Sequence, residues 1–152
     1  MKIKNLINNI VIFLFLIFLI IPGNAEEVYV SLKKNKVNVR YGPSFESDIK
    51  YVYKKINLPL KQIDKKENFR RIIDQKNNSG WIHVSQLKKS NSIIILENKI
   101  LYRDASNFSK PLARLEKGRL LIIKKCENEW CNVVTDSFLG WVKNSNVWGS
   151  TK

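Results

Sequence analysis

The chain has 152 residues, 27 Lys and Arg against 13 Asp and Glu for a formal charge of +14, and 44 % hydrophobic residues. That apolar content excludes a disordered polar chain, and the length leaves room for one ordinary domain or two very small ones. A single histidine and two cysteines are a poor supply for a metal site wanting three or four ligands.

Lys2 and Lys4 precede an uninterrupted apolar run from Ile10 to Ile21, which Pro22 ends. Those 12 residues would span about 18 Å as a helix, against a hydrocarbon core of about 30 Å. Gly23-Asn24-Ala25 then places small residues where signal peptidase requires them. The pattern predicts a signal-peptide helix over residues 1–25, cut between Ala25 and Glu26, with no transmembrane anchor after cleavage. An uncleaved anchor is the competing reading. No cysteine follows the run to carry a lipid.

The remaining 127 residues hold 25 basic and 13 acidic side chains, a formal +12. An anionic partner would suit that charge. So would coding bias, the simpler account: Lys, Ile and Asn supply 57 residues of the whole chain and Ala only 3.

From residue 28 onward the chain repeats itself. Lys36–Arg40 (KVNVR) aligns with Lys99–Arg103 (KILYR), so that Arg40 matches Arg103. Phe69 and Ile72 match Trp130 and Val133, and Gly80-Trp81-Ile82 matches Gly140-Trp141-Val142. The offset drifts only from 63 to 60, which loops can absorb. Each unit reads as about five short strands. Val37 and Val39 alternate with polar residues, and Gly42-Pro43-Ser44, Asn77-Asn78-Ser79-Gly80 and Glu116-Lys117-Gly118 supply turns. Helix is expected only as single turns near Val84–Leu87 and Lys143–Val147. Ile93–Leu96 is too apolar for a linker and should open the second unit as Val28–Leu32 opens the first. The expected organisation is all-β: a first barrel over 26–88, a second over 89–149 and a tail over 150–152.

Cys126 and Cys131 flank Glu127–Trp130, read as the turn between strands Leu120–Lys125 and Asn132–Thr135. Opposed positions on such a hairpin bring Cα atoms to roughly 4.5–5.5 Å, within reach of a disulfide. In an exported chain, pairing is the default, and the short loop gives it about 2 kcal/mol. A redox-active pair and a metal site are the weaker readings.

The segments VNVRYGPS (Val37–Ser44), GWIHVSQL (Gly80–Leu87), CENEWCNV (Cys126–Val133) and GWVKNSNVWG (Gly140–Gly149) resemble the bacterial SH3 (SH3b) family. The similarity is specifically to its two-unit exported members from alphaproteobacteria. It implies tandem small SH3-like β-barrels outside the cytoplasm with no activity of their own, some relatives targeting peptidoglycan and others binding proteins or peptides. The chain departs from the pattern in having Asp104-Ala105-Ser106 where Gly-Pro-Ser is expected, and Phe69 where Trp is usual.

Catalytic machinery is not legible. His83 has no Ser or Cys at a catalytic spacing and reads as a plain strand residue. The carboxylates form no cooperating pair, Asp64 and Asp74 reading as strand-end and turn residues. No phosphate loop or zinc-protease motif occurs, so no cofactor is expected. Trp81 and Trp141 fill the barrel or stand at its mouth, the core being favoured. The candidate ligand groove is Arg40, Tyr41, Phe45, Tyr51, Tyr53 and Trp81, where aromatic faces lie among cations; the competing reading turns at least one of Tyr51 and Tyr53 inward.

The expectation is a periplasmic, or secreted, non-catalytic binding module contacting peptidoglycan peptides or an envelope protein. A structural or assembly protein of the envelope with no small ligand is the alternative. Export argues against specific nucleic-acid binding, although a basic surface would hold a polyanion nonspecifically.

Overall fold

The computed structural model describes residues 27–151; the signal peptide expected over residues 1–25 and its expected cut between Ala25 and Glu26 lie outside them. Fourteen strands form two antiparallel sheets. The first contains β1 (Tyr29–Leu32), β2 (Val37–Arg40), β3 (Ile49–Tyr53), β4 (Pro59–Lys66), β5 (Phe69–Ile73), β6 (Ser79–His83) and β7 (Leu87–Lys89). The second contains β8 (Ser92–Ile95), β9 (Lys99–Tyr102), β10 (Pro111–Leu115), β11 (Leu120–Glu127), β12 (Trp130–Thr135), β13 (Phe138–Lys143) and β14 (Val147–Gly149). Their strand orders, β3-β2-β6-β5-β4-β1-β7 and β10-β9-β13-β12-β11-β8-β14, are the same topology twice. Each unit thus has seven strands, not about five, because short β1 and β7 (β8 and β14) pair with each other at one end of the sheet.

Period-two alternation explains both cores. Leu32, Val37, Val39, Leu60, Ile72 and Ile82 form one buried cluster drawn from five strands, so the first sheet curls around its own inner face. Ile93, Ile95, Leu101, Leu115, Leu121, Cys131, Val133 and Val142 do the same in the second. Where β6 crosses β2, a side chain on Gly80 would have its Cβ 2.4 Å from Val39 Cγ1 and 3.0 Å from the Arg40 carbonyl. Gly140 would meet the Tyr102 carbonyl at 2.6 Å and Leu101 Cγ at 2.8 Å. Glycine alone lets each barrel close.

These contacts correct the repeat alignment. Gly80 lies on Val39 and Arg40, and Gly140 on Leu101 and Tyr102. Arg40 is opposite Trp81, as Tyr102 is opposite Trp141. The partner of Arg40 is therefore Tyr102, not Arg103. The offset falls one residue at a time: 63 for Leu32 and Ile95, 62 for Val39 and Leu101, 61 for Ile72 and Val133, 60 for Ile82 and Val142. The losses fall in the β1–β2 connection, the β3–β4 connection and the β5–β6 turn, leaving the ladders intact.

Val84–Gln86 forms the expected single turn, a 3-10 turn whose Ser85 amide donates to the His83 ring. Lys143–Val147 does not, because Asn146 takes a left-handed φ of 48° that no right-handed helix accommodates. Strands β11 and β12 run to Glu127 and from Trp130, which shrinks the hairpin turn to Asn128-Glu129. Trp130 is thus a strand residue. Cys126 and Cys131 are in register, with Cα atoms 4.0 Å apart, and are bonded.

The two barrels meet along β1, β4, β8 and β14. The Trp148 indole N–H donates to the Pro59 carbonyl at 3.0 Å, and its ring meets Tyr29 edge to face at 5.6 Å. Burial, then the Glu27 carboxylate, push the Tyr29 phenol up to about 12. Behind this contact three buried hydroxyls interlock: Ser31 Oγ lies 2.8 Å from Ser90 Oγ and 2.9 Å from Ser92 Oγ. Ser92 also donates to the Asn57 carbonyl at 2.6 Å. Only Ser90 and Asn91 separate the sheets.

Gly140→Ala should lower stability by about 1–3 kcal/mol, since its methyl group must displace the β9 backbone; urea unfolding would show a lower midpoint at unchanged slope. In calorimetry the native chain should unfold in one transition, and Trp148→Ala should split it in two by uncoupling the barrels.

Candidate ligand-binding face

Hairpin register builds one cross-strand row on the outer surface of the first barrel. Trp81 on β6 stands opposite Arg40 on β2 and opposite Arg71 on β5. Since Gly80 and Ile82 face the core, Trp81 between them faces outward and is half-buried. The favoured core placement of Trp81 and Trp141 is therefore wrong for both. A bulky ring at the core-facing position would collide with β2, so the tryptophans take the alternate face.

Arg40, Tyr41, Lys50, Arg71 and Trp81 share a hollow of about 270 Å³. Tyr41 is 67 % exposed at its rim. Lys50 lies 5.5 Å from the Tyr41 ring centroid while donating to the Ser79 carbonyl at 2.9 Å. Arg40 donates to the Ser47 carbonyl at 2.6 Å, so the guanidinium is fixed by the Tyr41–Asp48 loop it supports. Three cations and one indole line the same hollow, and an anionic or planar group would be favoured between them.

The six expected groove residues do not form one site. Arg40, Tyr41 and Trp81 come together in the hollow. Phe45 joins a separate cluster, 5.3 Å from Phe69 and 4.9 Å from His83, with the Arg40 guanidinium 5.7 Å from its ring. The Arg40 side chain thus links the two. Tyr51 and Tyr53 lie on one strand two residues apart, so both point the same way, against the first core cluster. Their rings meet at 5.2 Å, and the Tyr53 hydroxyl donates to Asp74 Oδ2 at 3.0 Å.

Asp74 opens the β5–β6 turn, as expected, and the structure buries it. It accepts from the Lys76 and Asn78 amides at 2.8 and 2.9 Å and from Asn78 Nδ2 at 2.9 Å. Burial works to raise its pKa, but the bonds from Asn78, Lys76 and Tyr53 outweigh it and hold the carboxyl below its ordinary value. Burial foremost, then Tyr51 and Asp74, pushes Tyr53 far up. Asp64 sits within β4 beside a bulge rather than at a strand end.

Arg71 was not among the expected residues, although its place opposite Trp81 follows from pairing Ile72 with Gly80 in the hairpin. Phe69 and His83 were likewise missed as the seat of Phe45. In the second barrel the corresponding row is Tyr102, Trp141 and Asn132, with Lys125 5.2 Å from the Trp141 ring. That row carries no arginine. Among the described residues no group of His, Cys, Asp and Glu could hold a metal, and no helix is long and apolar enough to cross a membrane.

A family profile described as "Bacterial SH3 domain" matches residues 33–89 and again 97–149. No curated protein matches the sequence. Among solved structures, NlpC2 from Trichomonas vaginalis is similar at 9 % identity and a TM-score of 0.38, over 82 % of this chain and 49 % of its own. NlpC1 from the same organism is similar at 9 % identity and a TM-score of 0.39, over 86 % of this chain and 48 % of its own. The chain thus spans about half the length of each.

The Asp74 bonds make stability depend on pH. A carboxyl held below its unfolded value of about 4 stabilises the fold above that pH and stops doing so as pH falls through the lower folded value. Asp74→Asn should therefore lose about 1–3 kcal/mol at pH 7, and the gap to the native protein should close below about pH 4 in urea titrations.

Proposed function

We propose, since the chain belongs to the bacterial SH3 domain family, that it is a non-catalytic binding module of the bacterial cell envelope. Its ligand is the peptide portion of peptidoglycan, held by the first barrel. The observation that carries this reading is the outward row of Arg40, Trp81 and Arg71 with Tyr41 exposed beside it. A stem peptide offers that row carboxylates for the arginines and a flat amide backbone for the indole. The export signal read in residues 1–25 and the Cys126–Cys131 disulfide both suit a periplasmic or secreted site of action.

The buried contacts between the barrels favour a second reading, in which the pair acts as a rigid spacer bound to an envelope protein. Co-sedimentation with purified cell-wall sacculi at moderate salt separates the two. Native protein should pellet, and Trp81→Ala and Arg71→Ala should each weaken binding about tenfold, as expected for loss of a central aromatic or arginine contact. Tyr53→Ala should destabilise the barrel without selectively affecting binding by the folded fraction. Absence of pelleting would favour the spacer. Binding that ignores Trp81→Ala and fades with salt would be bulk electrostatics.

A further inference from the structure

A second basic hollow, of about 430 Å³, lies where the barrels join, remote in register from the Trp81 row. It is lined by Lys88 and Lys89 at the end of β7, by the Ser90-Asn91 connection, by Lys124 and Lys125 on β11, and by Ser150 and Thr151, with no acidic side chain among the described lining residues. The lysines meet for identifiable reasons. The pairing of β11 with β12 shifts between Ile123 and Lys125, so Lys124 is an extra, bulged residue. A bulge re-aims side chains, and here two consecutive lysines reach one hollow, which a regular strand would have sent to opposite faces.

The opposite wall is anchored as well. The Ile123 amide donates to the Asn91 carbonyl at 2.7 Å, and Ser90 is fixed through its bond to Ser31. Lys89 and Lys124 are thus attached to backbone that is already pinned together. Lys125 has one acidic partner, Glu127 at 2.7 Å, with both side chains exposed. Lys88, Lys89 and Lys124 have none among the described residues. At the corresponding bulge the first barrel carries Ile63 and Asp64, so the lysine pair belongs to the junction and not to the repeat.

We propose that this junction is a binding site for a ligand bearing two or more phosphates. Three lysines without an acidic partner among the described residues, Lys88, Lys89 and Lys124, with Lys125 beside them, line an open hollow and match compact, multiply charged phosphate oxygens, whereas a planar carboxylate is better served by the arginine forks of the other site. The ligand bridges β7 of the first barrel and β11 of the second, and its binding further stabilises their docked arrangement.

Calorimetric titration of the purified protein with inorganic pyrophosphate tests the site. Binding should weaken by about tenfold or more in the triple variant Lys88→Gln, Lys89→Gln, Lys124→Gln, whose circular dichroism should match the native protein. The control triple Lys33→Gln, Lys34→Gln, Lys36→Gln removes as many charges from the β1–β2 connection and should bind as the native chain does. Equal losses in both variants, or none in the first, overturn the proposal. Flotation with phosphatidylcholine vesicles containing cardiolipin, whose headgroup carries two phosphates, distinguishes the source. Flotation that pyrophosphate abolishes assigns the site to lipid headgroups, and pyrophosphate binding without flotation assigns it to a soluble oligophosphate. Flotation that pyrophosphate does not affect also overturns the site.

Discussion

The missing side chain at Gly80, and again at Gly140, sets most of what surrounds it. A strand that lies against a neighbouring carbonyl at this distance closes the sheet into a barrel, and the hydrophobic cluster forms inside as a result. The same position fixes parity. With glycine and an aliphatic residue turned inward at 80 and 82, the residue between must face out, and it is a tryptophan. Barrel closure and the outward aromatic face are one constraint seen from two sides.

The two units answer that constraint with different chemistry. In the first, arginines flank the tryptophan and a phenylalanine–histidine cluster props the neighbouring loop. In the second, the flanking residues are Tyr102 and Asn132, Trp130 packs against Tyr102 at 5.7 Å, and a disulfide spans the hairpin where the first barrel has Lys65 and Arg70. The second barrel invests its variable positions in rigidity, the first in an exposed cationic surface. A common scaffold with unequal faces is what separation of holding from recognition would produce.

Much of the fold was legible because strand alternation and turn residues are local signals. Val37 and Val39, the Gly-Trp-aliphatic triplets and the apolar Ile93–Leu96 run all announce strands without reference to anything distant. What misled was identity without parity. Arg40 and Arg103 are the same residue type after similar strands, yet a one-residue slip exchanges the faces of a strand, and burial places Tyr102 opposite Trp141 instead. Trp81 looked like core because of its size, although Val39 had already claimed that space. Tyr51 and Tyr53 adjoin the loop only in sequence; parity turns both against the core cluster, where they are half-buried. The lysine junction was invisible because it depends on a bulge and on a docking contact between units, neither of which has a local sequence signature.

The buried serine cluster between the barrels has a consequence for valency. Hydroxyls that interlock at hydrogen-bonding distance, backed by the Trp148–Pro59 bond, hold the two tryptophan faces at a fixed separation instead of letting a linker average over many. For a polymer whose repeat matches that separation, the second contact would be intramolecular, with a high effective concentration and avidity beyond either face alone. For any other spacing the same rigidity would forbid simultaneous engagement, so the hydroxyl cluster makes the pair of barrels a gauge of ligand periodicity.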